Sequence, residues 1–115
     1  SQLTIIGFTQ QMHQLVQATD LVIGKAGPNS LFEVVACQKP FIAITHIAGQ
    51  ENGNLDIIHD YHLGWVKEDP DDAHQLIKDI MQNPWLVDDV RVSQRHFADR
   101  LLQGNKKLLE IIKKI

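Results

Sequence analysis

The chain has 115 residues, of which 43% are hydrophobic and 22% are charged, and its formal net charge is −3. These values are typical of one small globular domain and exclude disorder, which combines low hydrophobicity with high net charge. The acidic balance also excludes a general nucleic-acid binder, because such proteins need a basic face.

Short apolar runs alternate with helical patterns over the first part of the chain. Because the apolar runs are continuous rather than alternating, we expect parallel strands covered on both faces. Thr9 is the predicted N-cap of the first helix, and Gly64 is the predicted end of the third. The predicted fold is α/β, a Rossmann-like open parallel sheet flanked by helices. The four predicted strands are 3–8, 21–23, 41–45 and 65–67.

The rest of the chain, about 70–115, is predicted to be helical. Asp69 and Pro70 form a strong helix start, since an N-cap acid precedes proline at the first helical position. A second helix is predicted over about 88–103 and should end at Gly104. The last helix is predicted from about Asn105, and we expect its apolar stripe of Leu108, Ile112 and Ile115 to favour self-association.

Two polar loops follow the second and third predicted strands, 24–30 and 46–54. Parallel strands place their carboxyl ends at one sheet edge, where ligands bind, so we expect the loops to meet there. A glycine turn before a helix suits a phosphate group, whose charge the helix N-terminus stabilises. Amides and a carboxylate between glycines suit sugar hydroxyls, which both donate and accept hydrogen bonds. Together they indicate a nucleotide-sugar site, although glycine turns also join strands to helices for structural reasons alone.

Several motifs resemble the C-terminal, donor-binding half of GT-B glycosyltransferases over about residues 4–66. The similarity is greatest to monogalactosyldiacylglycerol synthases and processive diacylglycerol glucosyltransferases, and more distant to the N-acetylglucosaminyltransferase of the peptidoglycan precursor. The motifs are Lys25-Ala26-Gly27-Pro28-Asn29-Ser30, then Glu33, Ala36-Cys37-x-x-Pro40 and Gly49-Gln50-Glu51-x-Gly53-Asn54.

The resemblance implies an inverting transferase that moves a hexose from a UDP-sugar to a lipid or lipid-linked acceptor. It assigns the donor diphosphate to Gly27–Ser30, the ribose hydroxyls to Glu33, and the hydroxyls of the transferred sugar to Gln50 and Glu51. Lys25 would neutralise developing phosphate charge, and neither a metal nor a cofactor is expected. The full set of candidate donor-binding residues is Lys25, Gly27, Pro28, Asn29, Ser30, Glu33, His46, Gly49, Gln50, Glu51 and Asn54.

The resemblance also implies that parts of the enzyme lie outside this sequence. The chain begins at Ser1, just before the predicted strand 3–8, and three parts of the family's enzymes are not in it: the N-terminal domain, the first strand of the C-terminal domain and the Gly-rich loop after that strand. We therefore expect a truncated C-terminal domain with no catalytic residue of its own and no activity alone. Two other functions stay open: a UDP-N-acetylglucosamine 2-epimerase type of isomerase, and a non-catalytic binding or scaffold subunit of a split transferase.

Alternative roles stay open for individual residues as well. Ser30 and Glu33 have the spacing of a capping box, which would occupy the carboxylate. His59 and His62 share a helix face, but no cysteine or carboxylate completes a metal site with them. The single cysteine, Cys37, is expected to be a packed thiol in a reducing compartment. We predict a cytoplasmic protein, peripheral at the inner membrane face in its full-length form.

Overall fold

The computed structural model describes residues 5–7 and 10–114, without the side chains of Asn29 and Leu108. In this part of the chain, three parallel strands pair in the order β1-β2-β3, with helices between and after them. The fold class predicted from the sequence is confirmed. The elements are α1 Met12–Gln17, β1 Val22–Lys25, α2 Pro28–Ala36, β2 Phe41–Thr45, α3 Asn52–Asp60, β3 Trp65–Val66, α4 Pro70–Gln82, a 3-10 turn Pro84–Val87 and α5 Asp88–Lys113.

The core lies between α2 and the sheet. Leu31 and Phe41 are completely buried, and Val34 and Val35 are almost so. The apolar residues of α2 recur at helical spacing, so one face of the helix packs inward. This packing fixes α2 against the strands and thereby sets the position of its N-terminus at the sheet edge.

The beginning of the chain differs from the prediction. Residues 5–7 have no regular secondary structure, and the rest of the predicted strand 3–8, like Thr9, falls outside the described residues. The N-cap of α1 is Gln11, so the predicted cap position is wrong by two residues.

The prediction that both faces of the strands are covered is wrong for two residues. Ile23 is 45% exposed and Ile44 is 40% exposed. Successive strand residues point to opposite faces, and on this face α4 leaves an open cavity of ≈ 330 Å³ that both isoleucines line. A continuous apolar run therefore did not mean complete burial.

Gly64 is needed, but for a different reason from the predicted one. The helix α3 ends at Asp60, and the left-handed residue after it is His62, with a φ of 55°. A Cβ atom at Gly64 would lie 2.2 Å from the backbone oxygen of Phe41. The glycine thus allows the start of β3 to approach β2.

The C-terminal helices merge into one. The predicted Asp69 cap is confirmed, since the Asp71 amide donates to Asp69 Oδ1 at 2.8 Å. However, α5 does not end at Gly104. It continues past this glycine and is 26 residues long in total. A glycine inside a helix costs only about 1 kcal/mol relative to alanine, which the helix-forming residues on both sides offset. Among the described helices, none combines enough length and apolar character to span a bilayer.

Candidate functional site

The two polar loops are joined by side-chain hydrogen bonds. Lys25 Nζ donates to Glu51 Oε2 at 3.1 Å, and the Ile47 amide donates to Glu51 Oε1 at 2.7 Å. Asn54 Nδ2 donates to the backbone oxygen of Ala26 at 2.9 Å. We call these five residues the loop junction. The prediction that the loops meet is therefore confirmed.

Glu51 is the centre of the loop junction. Its side chain is only 6% exposed, and each of its oxygens has a protein donor. The hydrogen bond from the Ile47 amide, with help from Lys25, lowers the pKa of Glu51, although burial acts in the opposite direction. The carboxylate is therefore charged at neutral pH and holds the two loops together.

The N-terminus of α2 opens next to the loop junction. Gly27 is the N-cap and Pro28 the first helical residue, and no side chain in the described part of the protein caps this end. A Cβ atom at Gly27 would lie 3.3 Å from Glu51 Oε2 and 3.7 Å from Lys25 Nζ. The first-turn amides, which have no partner inside the helix, are thus left for an anion. Asn29 lies in this turn, but its side chain falls outside the described part.

The second loop leaves a different set of groups accessible. Gln50 is exposed in the turn that precedes α3, and Ser30 is exposed in the first turn of α2. Gly49 has a φ of 84°, and its amide donates to Asn52 Oδ1 at 3.3 Å. These residues can contact a ligand without breaking the hydrogen bonds of the loop junction.

His46 follows β2 and has a partner that the sequence analysis did not name. Its Nδ1 atom lies 2.9 Å from a carboxylate oxygen of Glu68. The imidazole is mostly buried, while the carboxylate is exposed. The pair ties the end of β2 to the segment after β3, so His46 has a structural contact besides its predicted ligand role.

Glu33 does not form the capping box with Ser30. Its carboxylate is hydrogen-bonded to His13 of α1, and its side chain is 31% exposed. Because Pro28 is the first helical residue, Glu33 lies in the second turn of α2. It also lines a cavity of ≈ 290 Å³ with Ser30. The carboxylate can therefore reach a ligand at this side of the helix.

Cys37 completes a group that we call the α1–α2 cluster, formed by His13, Glu33 and Cys37. Cys37 Sγ lies 3.8 Å from His13 Nδ1 and 4.0 Å from Glu33 Oε1. Partial burial and the nearby Glu33 carboxylate raise the pKa of the Cys37 thiol. Cys37 is thus half-buried rather than fully packed.

This cluster was not predicted from the sequence because its members are far apart in the chain. Glu33 and Cys37 are four residues apart on one helix, and that spacing was a usable signal. His13 is 20 residues before Glu33, and only the packing of α1 against α2 brings it close. Among the described residues, His59 and His62 belong to no such group. His59 Nδ1 lies 3.3 Å from Asp60 Oδ1.

Comparison with known proteins gives a family for this chain. The family model of the glycosyltransferase family 28 C-terminal domain matches residues 1–82. Monogalactosyldiacylglycerol synthase 3, chloroplastic, from Arabidopsis thaliana is 34% identical over 77 residues, which are 67% of this chain and 17% of that protein. A probable monogalactosyldiacylglycerol synthase 2, chloroplastic, from Oryza sativa subsp. indica is 38% identical over 73 residues, covering 64% of this chain and 16% of that protein.

A bacterial relative aligns over more of the chain. The processive diacylglycerol beta-glucosyltransferase of Bacillus pumilus (strain SAFR-032) is 25% identical over 111 residues, which are 96% of this chain and 28% of that protein. The chain thus spans less than a third of the length of these relatives. Since the family model covers well over half of the chain, this protein belongs to the glycosyltransferase family 28 C-terminal domains.

Proposed function

We propose that this chain is the donor-binding part of an inverting glycosyltransferase that transfers a hexose from a UDP-sugar to a lipid or lipid-linked acceptor. The observation that carries the proposal is the loop junction, which holds two ligand-type loops together beside an uncapped helix N-terminus. The names of the relatives, which are glycolipid synthases, support the transferase class and the kind of acceptor.

In this proposal the donor diphosphate binds at the N-terminus of α2. The amides of the first turn and the helix dipole stabilise the anion, and the missing side chain of Gly27 lets it approach. Lys25 lies at the same place, half-exposed, with its ammonium group against Glu51. As the anomeric bond breaks, negative charge grows on the diphosphate, and these groups stabilise it without a metal ion or cofactor.

The ribose and the transferred sugar extend to either side of the diphosphate. Glu33 is about one and two-thirds turns further along α2, a rise of about 9 Å from Gly27 at 1.5 Å per residue. It accepts hydrogen bonds from the ribose hydroxyls. On the other side, the exposed Gln50 amide binds hydroxyls of the sugar. Glu51, whose two oxygens already have protein donors, supports this contact by holding the loop in place.

The acceptor site and the base are assigned to parts of the enzyme outside this chain. In an inverting reaction the acceptor hydroxyl attacks the anomeric carbon in a single displacement while a base removes its proton. We place no catalytic residue in this chain and expect no transfer by it alone. We further propose a cytoplasmic enzyme that is peripheral at the inner membrane face, where a lipid acceptor is accessible.

Calorimetric titration of the chain, and of the protein that contains it, with UDP and UDP-hexoses tests the donor site. We expect Glu33→Ala to weaken UDP and UDP-sugar alike by about tenfold, the loss of one good polar contact. Gln50→Ala should weaken only the UDP-sugars, because UDP has no hexose. A matched control is Glu110→Ala, which removes an exposed helical carboxylate far along α5.

Unchanged donor affinity in both Glu33→Ala and Gln50→Ala would contradict the site assignment. Product analysis with the protein that contains the chain tests the reaction class. A glycosylated lipid supports the transferase, whereas an epimerised nucleotide-sugar would support the isomerase. A third outcome is that the protein binds the donor but makes neither product alone. If adding a separate chain then produces glycosyl transfer, the result would support the split-transferase subunit.

The far end of α5 is the proposed surface for self-association. Leu101, Leu102, Leu109, Ile111 and Ile112 are each about half exposed there. Sedimentation over a range of protein concentrations should show dimers that Ile112→Lys removes. A monomer at every concentration would contradict this part of the proposal.

A further inference from the structure

We propose that the α1–α2 cluster is a zinc site, in which His13 Nδ1, a Glu33 carboxylate oxygen and Cys37 Sγ bind one ion between α1 and α2. Among the described residues, this is the group of histidine, cysteine and carboxylate side chains whose ligand atoms all lie within 4.8 Å of one another.

The distances between the ligand atoms differ only slightly from those around a tetrahedral ion. Ligands that lie about 2.0–2.3 Å from zinc are about 3.3–3.8 Å from one another. Cys37 Sγ is 3.8 Å from His13 Nδ1 and 4.0 Å from Glu33 Oε1. His13 and Glu33 are closer because they share a hydrogen bond, which the ion would replace. Small rotations of these two side chains therefore form the site.

Two of the three ligands are positioned by α2. Glu33 and Cys37 are four residues apart and share one face of α2. The Cys37 amide donates to the backbone oxygen of Glu33 at 3.1 Å, so the helix remains regular up to the thiol. His13 comes from α1 and its side chain is 58% exposed, which leaves a path for the ion from solvent.

The kinds of ligand select the metal. A thiolate, an imidazole and a carboxylate match zinc, whereas magnesium and calcium prefer oxygen ligands alone. Three protein ligands leave the fourth zinc position open to water or another molecule. The adjoining cavity of ≈ 290 Å³, which Glu33 also lines, has room for that fourth ligand.

Zinc binding would take the carboxylate that the donor site needs. If Glu33 binds ribose as proposed above, zinc and nucleotide compete for it, and zinc acts as an inhibitor of donor binding. This consequence rests on the proposed function. The zinc site itself does not, because its ligands and their distances are independent of any nucleotide.

Cobalt and zinc titrations of the reduced chain test the site directly. Cobalt(II) should produce a thiolate-to-cobalt charge-transfer band in the near ultraviolet, and equimolar zinc should remove it. The band is unambiguous because Cys37 is the only cysteine in the sequence. Competition with a chromophoric chelator should show one tight zinc ion per chain.

Variants separate this site from loose binding at surface histidines. Cys37→Ser should abolish the band, and His13→Gln and Glu33→Gln should each weaken zinc by at least about tenfold. His13 is exposed, so its replacement leaves the fold intact even if the Cys37 variant fails to fold. The matched control is His59→Gln, which removes an exposed histidine beside a carboxylate but without a thiol.

The proposal is overturned if the native chain shows no charge-transfer band, or if His59→Gln weakens zinc as much as His13→Gln does. UDP titrations with and without zinc then test the competition separately. A protein that contains this chain and binds zinc but never UDP would contradict the proposed function and leave the zinc site standing. A chain that binds UDP equally with and without bound zinc would overturn the competition alone.

Discussion

Glu33 on α2 and Glu51 at the start of α3 differ in how much of their hydrogen-bonding capacity the protein uses. Glu51 is 6% exposed and receives hydrogen bonds from a backbone amide and a lysine. Glu33 is 31% exposed and faces an exposed histidine on a neighbouring helix. Both were candidate ligand residues from the sequence, but their surroundings separate them.

This difference in burial and hydrogen bonding separates a carboxylate that stabilises the loops from one that is accessible to a ligand. A buried carboxylate is stable only with its partners, and removing one of a bonded pair leaves the other unsatisfied. Glu51 therefore belongs to the frame of the site. A half-exposed carboxylate can exchange a protein partner for a ligand at little cost, and this describes Glu33.

Glu51→Gln tests whether the Glu51 carboxylate holds the two loops together. The amide keeps the shape but loses the charge, and its NH₂ group faces either Lys25 or the Ile47 amide, which are both donors. We expect the largest fall in unfolding midpoint among the variants proposed in this comparison, with donor affinity lowered at least about tenfold. Thermal melts and UDP-sugar titrations measure both. A variant with the native midpoint would mean that Glu51 does not hold the loops.

Asn54→Ala removes the other bond between the loops. Loss of the hydrogen bond to the Ala26 oxygen should lower the free energy of unfolding by about 1 kcal/mol, measured by urea denaturation. Asn52→Ala is the matched control, since its side chain accepts one exposed hydrogen bond outside the loop junction. Equal losses in the two variants would contradict a special role for Asn54.

The pH dependence of stability should report Glu51. Because folding lowers the pKa of this carboxyl, its contribution is complete above the ordinary glutamate pKa of about 4.3 and is lost as the pH falls through the lowered value. Denaturation of the native chain and of Glu51→Gln at several pH values isolates the contribution of the Glu51 carboxylate to the free energy of unfolding. The difference between the two should be constant near neutral pH and shrink in acid; a difference that grows in acid would contradict the assignment.

Glu33→Gln should have the smallest effect on stability. The carboxylate is partly exposed, and such substitutions change the free energy of unfolding by about 0.5 kcal/mol or less. Urea denaturation beside Glu51→Gln provides the test. A loss as large as that of Glu51→Gln would show that the two carboxylates do not differ in the way described.

Much of the fold could be predicted from local patterns. The apolar spacing of α2 and the Asp69-Pro70 start of α4 each depend on neighbours a few residues away, and both predictions are confirmed. The prediction that a helix ends at Gly104 is wrong because the end of a helix also depends on the residues that pack around it. Residues 101–107 and 109–114 are exposed, and α5 continues past the glycine to Lys113.

By itself, the sequence determined the kinds of residue at the sheet edge, the order of strands and helices from α1 to α4, and the resemblance that the family match confirms. Only the tertiary structure decided how Glu33 and Glu51 are used. Hydrogen bonding and burial depend on which distant segments pack together. Glu51 became part of the frame because Lys25 lies 26 positions before it and yet 3.1 Å away. Glu33 gained His13 and Cys37 as neighbours because α1 packs against α2.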